Sequence, residues 1–230
     1  MRGRVFVPAS ASGPKRIQIE AYGAELAAVA GPRSAAAAAV MEEVLAGAVY
    51  ASHAYLPFGL SGIATIAYEL WETLGGAPGT VVAPAGHGGL LLGLVRGFAA
   101  LEQAGLIARA PFYVGVQAAA CAPMAEAFSQ GLRQPAAAAE NTTLAEGVRV
   151  TQPVRGAALL HEIPPGKGLF TAVPEAEILP AAQALNRQGI YVEPTSALVW
   201  AALSQVRVNL PEPVILILTG NGLKYIPTAK

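Results

Sequence analysis

The chain has 230 residues, 53% of them hydrophobic and only 13% charged, with 15 basic residues balanced by 15 acidic ones. That length suits one large or two small domains with a substantial core, and the lack of any basic cluster excludes a nucleic-acid or polyanion surface. Cys121, the one cysteine, excludes an internal disulfide and a CxxC metal or redox motif, so no metal is expected and a reducing, cytoplasmic setting fits. Low charge beside a large apolar fraction points to burial, either in a parallel sheet covered on both faces or in a subunit interface. The most apolar window, residues 81–101, is interrupted by His87, Arg96 and several glycines, so it is no membrane span. The apolar run 5–7 stops at Pro8, too short for a signal-peptide core.

Taken in order, residues 5–7 read as a strand, 9–13 as a small-residue loop and 15–22 as a helix ending at Gly23. Residues 25–30 form a second strand closed by Gly31-Pro32, Ser34 caps an alanine-rich helix running to Leu45, and 49–51 suggest a third strand. A β-α-β-α-β pattern of this kind implies parallel strands with right-handed crossovers. Between His53 and Gly62 the chain turns to Pro, Gly and aromatic residues, which reads as a hinge between a domain at 1–53 and a larger one at 54–230. The helix expected at 62–74 places Ile63, Ile66, Ala67, Leu70 and Leu74 on one face. A strand at 81–84, a helix at 89–104, a strand at 112–118 and a helix at 123–130 follow. Residues 131–174 look least regular and suit a loop that shapes a pocket. The remainder predicts a helix at 177–188, a strand at 189–192, a helix at 196–206 and a strand at 214–218.

Two strand ends stand out. Val81-Val82-Ala83-Pro84-Ala85-Gly86-His87-Gly88-Gly89 runs from a buried strand through a glycine-rich turn into a helix. Backbone N–H groups can then converge on an anion beside the positive end of the helix dipole, and phosphate is the natural occupant. The other reading is a junction whose glycines merely permit close packing. The second end is Thr219-Gly220-Asn221-Gly222-Leu223-Lys224, and ligands of open α/β sheets collect at such carboxyl ends. A dinucleotide fold is a weaker idea, since Gly86, Gly88 and Gly93 miss the G-x-G-x-x-G spacing and Glu102 is a poor match for the acidic residue.

Six segments in order give the chain a resemblance that covers almost its whole length. They are Val5-Phe6-Val7-Pro8-Ala9 with Lys15; Tyr22-Gly23-Ala24-Glu25-Leu26; Pro84-Ala85-Gly86-His87-Gly88-Gly89; Gly115-Val116-Gln117 with Cys121-Ala122-Pro123; Glu193-Pro194-Thr195-Ser196-Ala197; and Leu218-Thr219-Gly220-Asn221-Gly222-Leu223-Lys224. With these the chain resembles the pyridoxal-phosphate enzymes of fold type II, threonine synthase and its paralogues most closely. The resemblance implies an α/β fold, a parallel sheet with helices on both faces, with 1–53 only part of the small domain and 54–230 carrying the phosphate loop. It also implies that Gly86, His87, Gly88 and Gly89 cradle the phosphate of pyridoxal 5′-phosphate, while the Thr219 hydroxyl meets the pyridine nitrogen. A neutral partner at that nitrogen moderates the electron sink, which suits elimination or replacement at the β or γ carbon of an amino acid.

The pattern departs from the family at its beginning. There the Schiff-base lysine lies in a Ser-x-Lys-Asp-Arg type segment that precedes the position of Val5, and neither it nor the following Ser-Gly-Asn-Thr type loop is present. Lys15, Lys167, Lys224 and Lys230 do not take its place, so no catalytic residue is assigned and the cofactor is expected to bind noncovalently at best. The positions near Leu56 and Gly59 also lack the Asn and Arg with which threonine synthases hold the substrate phosphate, leaving Lys15 and His53 to supply positive charge. His87, where the family often has Asn, is a pocket candidate or else a loop histidine facing solvent; His161 and Cys121 read as structural.

Two readings follow. In one the chain is the C-terminal portion of a threonine synthase-like lyase, inactive until a complementing N-terminal chain supplies the lysine. In the other it is a non-catalytic module that binds pyridoxal phosphate or a phosphometabolite. Both expect a homo-oligomer, through apolar edges left open, and no partner among nucleic acids or membranes.

Overall fold

Apolar runs punctuated by glycine and proline favour short strands joined by helices. The computed structural model, which describes residues 3–11, 13–56, 58–139, 141–206 and 209–225, bears out that reading. The chain forms two units, one running to Ser52 and taking in Lys224 and Tyr225, the other running from His53 to Leu223.

In the first unit, β1 (Arg4–Pro8) and β2 (Glu25–Val29) pair in parallel, Arg4 opposite Glu25 and Pro8 opposite Val29. Parallel neighbours need a crossover, and α1 (Gly13–Ala21) provides it. α2 (Arg33–Leu45) follows, and the Arg4 guanidinium reaches both Glu25 on β2 (2.9 Å) and Glu43 on α2 (2.7 Å). Two expectations fail here. Ser34 does not cap α2: the extended backbone of Pro32 (φ −72°, ψ 169°) precedes a helix that starts at Arg33, two residues earlier than a Ser34 cap would set it, and leaves Ser34 inside it. The strand expected at 49–51 does not form among the described residues, and Val49 is left 92% exposed.

The second unit is built on a parallel sheet of order β5-β4-β3-β6, made of β3 (Thr80–Pro84), β4 (Phe112–Ala118), β5 (Gly168–Val173) and β6 (Val214–Leu216). Side chains alternate between the two faces of a strand. Val81, Ala83 and Tyr113 therefore join one core with α3 (Gly59–Leu74), α4 (Gly89–Gln103), α5 (Pro123–Ser129) and α6 (Gly156–Glu162). Val82, Val114 and Val116 join the other with α7 (Glu175–Arg187) and α8 (Pro194–Gln205). Burying a side chain such as Phe98 or Leu198, both 0% exposed, contributes roughly 1.5–3 kcal/mol. Glycines at 93 and 97 let α3 lie against α4: a Cβ at 93 would fall 2.5 Å from Ile63 Cγ2, and one at 97 would fall 2.6 Å from the Ala64 carbonyl oxygen. That packing explains why so apolar a window is core.

Residues 131–174 are more regular than expected, holding a 3-10 turn (Glu146–Val148), α6 and β5. The flanking Pro164-Pro165-Gly166 hides β5 in the sequence, and its pairing with β4 over six registered positions creates it. Conversely, 189–192 is not a strand, since only Val192 bridges, to Asn221. Among the described residues no helix is long and apolar enough to cross a membrane, and no group of His, Cys, Asp or Glu side chains is placed to hold a metal.

Candidate functional site

β3 and β6 are adjacent and parallel, with Val82 opposite Leu216, so the chain leaves both at the same edge of the sheet. After β3 it enters the glycine-rich turn of residues 86–89, and after β6 it reaches Thr219. The two strand ends singled out in the sequence are therefore neighbours.

The glycine turn is shaped by what surrounds it. Gly88 has φ +89°, a left-handed conformation that a side chain resists, and a Cβ there would sit 2.7 Å from Leu159 Cδ1. A Cβ at Gly86 would sit 2.9 Å from the Gly147 carbonyl oxygen. The turn delivers the chain into α4 with no acidic residue in the helix's first turn. Among the described residues none accepts a hydrogen bond from the backbone N–H of Gly88, Gly89 or Leu90. Uncommitted N–H groups at the start of a 15-residue helix make a positive, donor-rich concavity that an anionic oxygen satisfies.

Three supports brace this turn. Gln117 is fully buried near the end of β4; its amide donates to the Ala85 carbonyl (3.0 Å), and its oxygen accepts from the N–H groups of Met124 (2.9 Å) and Ala125 (3.1 Å). Arg155, just before α6, donates its backbone N–H to the His87 carbonyl (3.0 Å) and its Nη2 to the Leu56 carbonyl (3.3 Å). Its Nε is buried without a partner among the described residues and lies 4.0 Å from the position of a Cβ at Gly89. Thr195, in the first turn of α8, accepts from Gly147 N–H (3.1 Å), holding the backbone that walls Gly86.

The other end is held by the next residue of the same helix. Ser196 Oγ is 3.0 Å from Thr219 N, 2.7 Å from Gly220 N and 3.1 Å from Thr219 Oγ1. Glu193 N–H donates to the Gly220 carbonyl (3.1 Å), and a Cβ at Gly220 would collide with the Glu193 carboxylate. Thr219 itself is exposed.

His87 is half-buried in the turn, and the exposed His53 ring meets it edge-on, 6.2 Å between centroids. Lys15 falls on α1, in the first unit, and its side chain lies outside what the structure describes. The structure thus sets His53 against His87 of the turn and places Thr219 just beyond the strand that neighbours β3. Gln117, Thr195 and Ser196 were visible in the sequence only as parts of motifs, although a glutamine inside an otherwise apolar strand signals a buried group that must find partners. Arg155 and Gly147 carried no local signal.

The arrangement offers an anionic group the amides at the start of α4 and sets a hydroxyl-bearing strand end next to that turn. Comparisons with known proteins place the chain in a family. The model of the family described as pyridoxal-phosphate dependent enzyme matches residues 1–220. The chain is 32% identical over 216 residues to threonine synthase of Methanocaldococcus jannaschii, covering 91% of this chain and 53% of that protein. It is 34% identical over 206 residues to threonine synthase of Synechocystis sp., covering 88% and 52%. The crystal structure of T.th. threonine deaminase superposes with a TM-score of 0.78 at 29% identity, covering 99% of this chain and 72% of that one. Maize serine racemase superposes with a TM-score of 0.80 over 96% and 66%, and at 17% identity it shares the fold alone. The sheet and its helices are those of the fold type II enzymes, and the chain spans about half the length of the threonine synthases it matches.

Proposed function

Because the chain belongs to the pyridoxal-phosphate dependent enzymes, we propose that it forms the cofactor-holding part of a threonine synthase-like lyase that carries out β or γ elimination or replacement on an amino acid. The uncommitted N–H groups of Gly88, Gly89 and Leu90 beside the Thr219 strand end carry this reading. Residues 86–89 and the start of α4 take the phosphate, and Thr219 meets the ring nitrogen. Bound there, pyridoxal phosphate supplies the electron sink for a substrate carbanion. The protein's own part is to fix the phosphate, orient the ring and keep His87 and His53 beside the loop, where they face an anionic group of the substrate. The reading places the Schiff-base lysine in chain outside these 230 residues, so the part described binds its cofactor reversibly. It also includes a cytoplasmic setting, and self-association or a complementing segment that covers exposed apolar side chains such as Leu45 (86%) and Phe58 (82%).

The test is calorimetric titration of the protein with pyridoxal phosphate, then borohydride reduction and peptide mass spectrometry. Saturable binding with no lysine carrying a reduced adduct is expected. Absence of binding would overturn the cofactor reading; an adduct on Lys15, Lys224 or another lysine of this chain would overturn the placement of the lysine.

A further inference from the structure

The hydrogen bonds around Ser196 decide which way the Thr219 hydroxyl points, an inference that rests on the cofactor reading above. Ser196 is 0% exposed. A serine hydroxyl has one proton to give and two lone pairs to receive. Backbone N–H groups only donate, so the Thr219 amide (3.0 Å) and the Gly220 amide (2.7 Å) occupy both lone pairs of Ser196 Oγ. Its one proton then has two acceptors within reach, Thr219 Oγ1 at 3.1 Å and the Gly220 carbonyl at 3.3 Å. In neither arrangement can Ser196 accept a proton from Thr219. Among the described residues Thr219 Oγ1 has no other acceptor within hydrogen-bonding distance, so its own proton remains available on the exposed side.

We propose that Ser196 is a positioning residue that fixes the Thr219 hydroxyl as a hydrogen-bond donor towards the ligand, at the ring nitrogen that the family resemblance gives it. When the Ser196 proton goes to Thr219 Oγ1, the donated bond polarises the Thr219 hydroxyl and strengthens its own donation. A hydroxyl that has already spent part of its accepting capacity would meet a ring nitrogen as a donor. The pair is built into the fold: Ser196 sits in the first turn of α8, while Thr219 and Gly220 lie just beyond β6.

The experiment has two arms, one of which needs no cofactor. Amide hydrogen exchange is measured at Thr219 and Gly220 in the wild type, in Ser196→Ala, in Thr219→Val and in Ser196→Cys, which keeps volume while accepting weakly. Both amides should exchange at least tenfold faster in Ser196→Ala, by an intermediate amount in Ser196→Cys, and unchanged in Thr219→Val. In the second arm, binding of pyridoxal phosphate is compared with binding of its analogue bearing C–H in place of the ring nitrogen. The wild type should prefer the nitrogen-bearing ring by about tenfold, the worth of one good hydrogen bond. That preference should vanish in Thr219→Val and shrink in Ser196→Ala and Ser196→Cys. Unaltered exchange in both Ser196 variants would overturn the proposal whatever the cofactor does. Equal binding of the two rings by the wild type would overturn the donor assignment alone, whereas binding of neither would overturn the cofactor reading and the ligand preference with it.

Discussion

The two loops that leave the adjacent strands β3 and β6 are held in different ways. The glycine turn at 86–89 is braced from three elements, by Gln117 on β4, by Arg155 before α6 and by the Gly147 backbone that Thr195 holds. The Thr219 end is more exposed: the Thr219 and Gly220 amides share one buried oxygen, that of Ser196, and the Gly220 carbonyl accepts from Glu193 N–H. The difference follows from what each loop offers. A set of bare N–H groups works only if each points at one place, so the backbone is over-determined, whereas a single hydroxyl needs only its direction fixed. On the proposed reading, substitutions in the glycine turn are therefore expected to act through folding and those at the Thr219 end through selectivity.

The largest effect should come from Gln117→Leu, which fits the core volume but orphans two N–H groups and the Ala85 carbonyl. Each buried orphan costs about 1–3 kcal/mol, so a loss of roughly 3 kcal/mol or more is expected in denaturant unfolding. A loss under ~1 kcal/mol would show that the turn is not held from β4. Gly88→Val should cost about 2–3 kcal/mol from the left-handed backbone and the approach of Leu159. It should also weaken pyridoxal phosphate binding by more than tenfold, and a well-folded variant with unchanged binding would remove the turn from the site. Arg155→Met should lower stability by about 1 kcal/mol through the lost bond to Leu56. It should also weaken binding several-fold, and binding that is unaffected would restrict Arg155 to a structural part.

The smallest effect serves as the control. Tyr113 lies in the same strand as Gln117, but its buried phenol has no hydrogen-bond partner among the described residues. Burial pushes its pKa up, with the negative charge of Glu102 adding to the shift. The folded protein thus holds this proton more tightly than the unfolded chain, so the contribution to stability is intact below the unfolded pKa of about 10 and is lost as pH rises beyond it. Tyr113→Phe should change stability near neutral pH by less than about 1 kcal/mol and flatten the decline above pH 10 in a pH series of thermal melts. A loss as large as that of Gln117→Leu would mean that burial alone, rather than hydrogen bonding, sets the cost along β4.

Much of the framework was legible because local signals and tertiary structure agree. Continuous apolar runs at β3 and β4 end in glycine or small residues, and both were placed within a residue. The missed and misplaced strands share one cause. β5 is short, flanked by proline and glycine, and exists because six of its residues pair with β4. Residues 49–51 and 189–192 have the composition of strands but no such ladder. The same holds at the site. Gly86, Gly88 and Thr219 announce themselves as strand-end chemistry, while Arg155 arrives from about seventy residues further on and Gly147 from the stretch that looked least ordered. Long-range pairing decides these positions, and no local pattern encodes it.

Thr195 and Ser196 are consecutive residues, and between them they anchor the backbone behind Gly86 and the backbone of Thr219. The spacing between the backbone behind the glycine turn and the Thr219 strand end is thus tied to one peptide unit in a helix whose first turn is buried. Neither loop can drift to suit a longer or shorter ligand without its brace giving way, and a rotation of α8 would shift both ends at once. On the proposed reading, the length of the ligand is then selected by the helix as well as its charge and polarity.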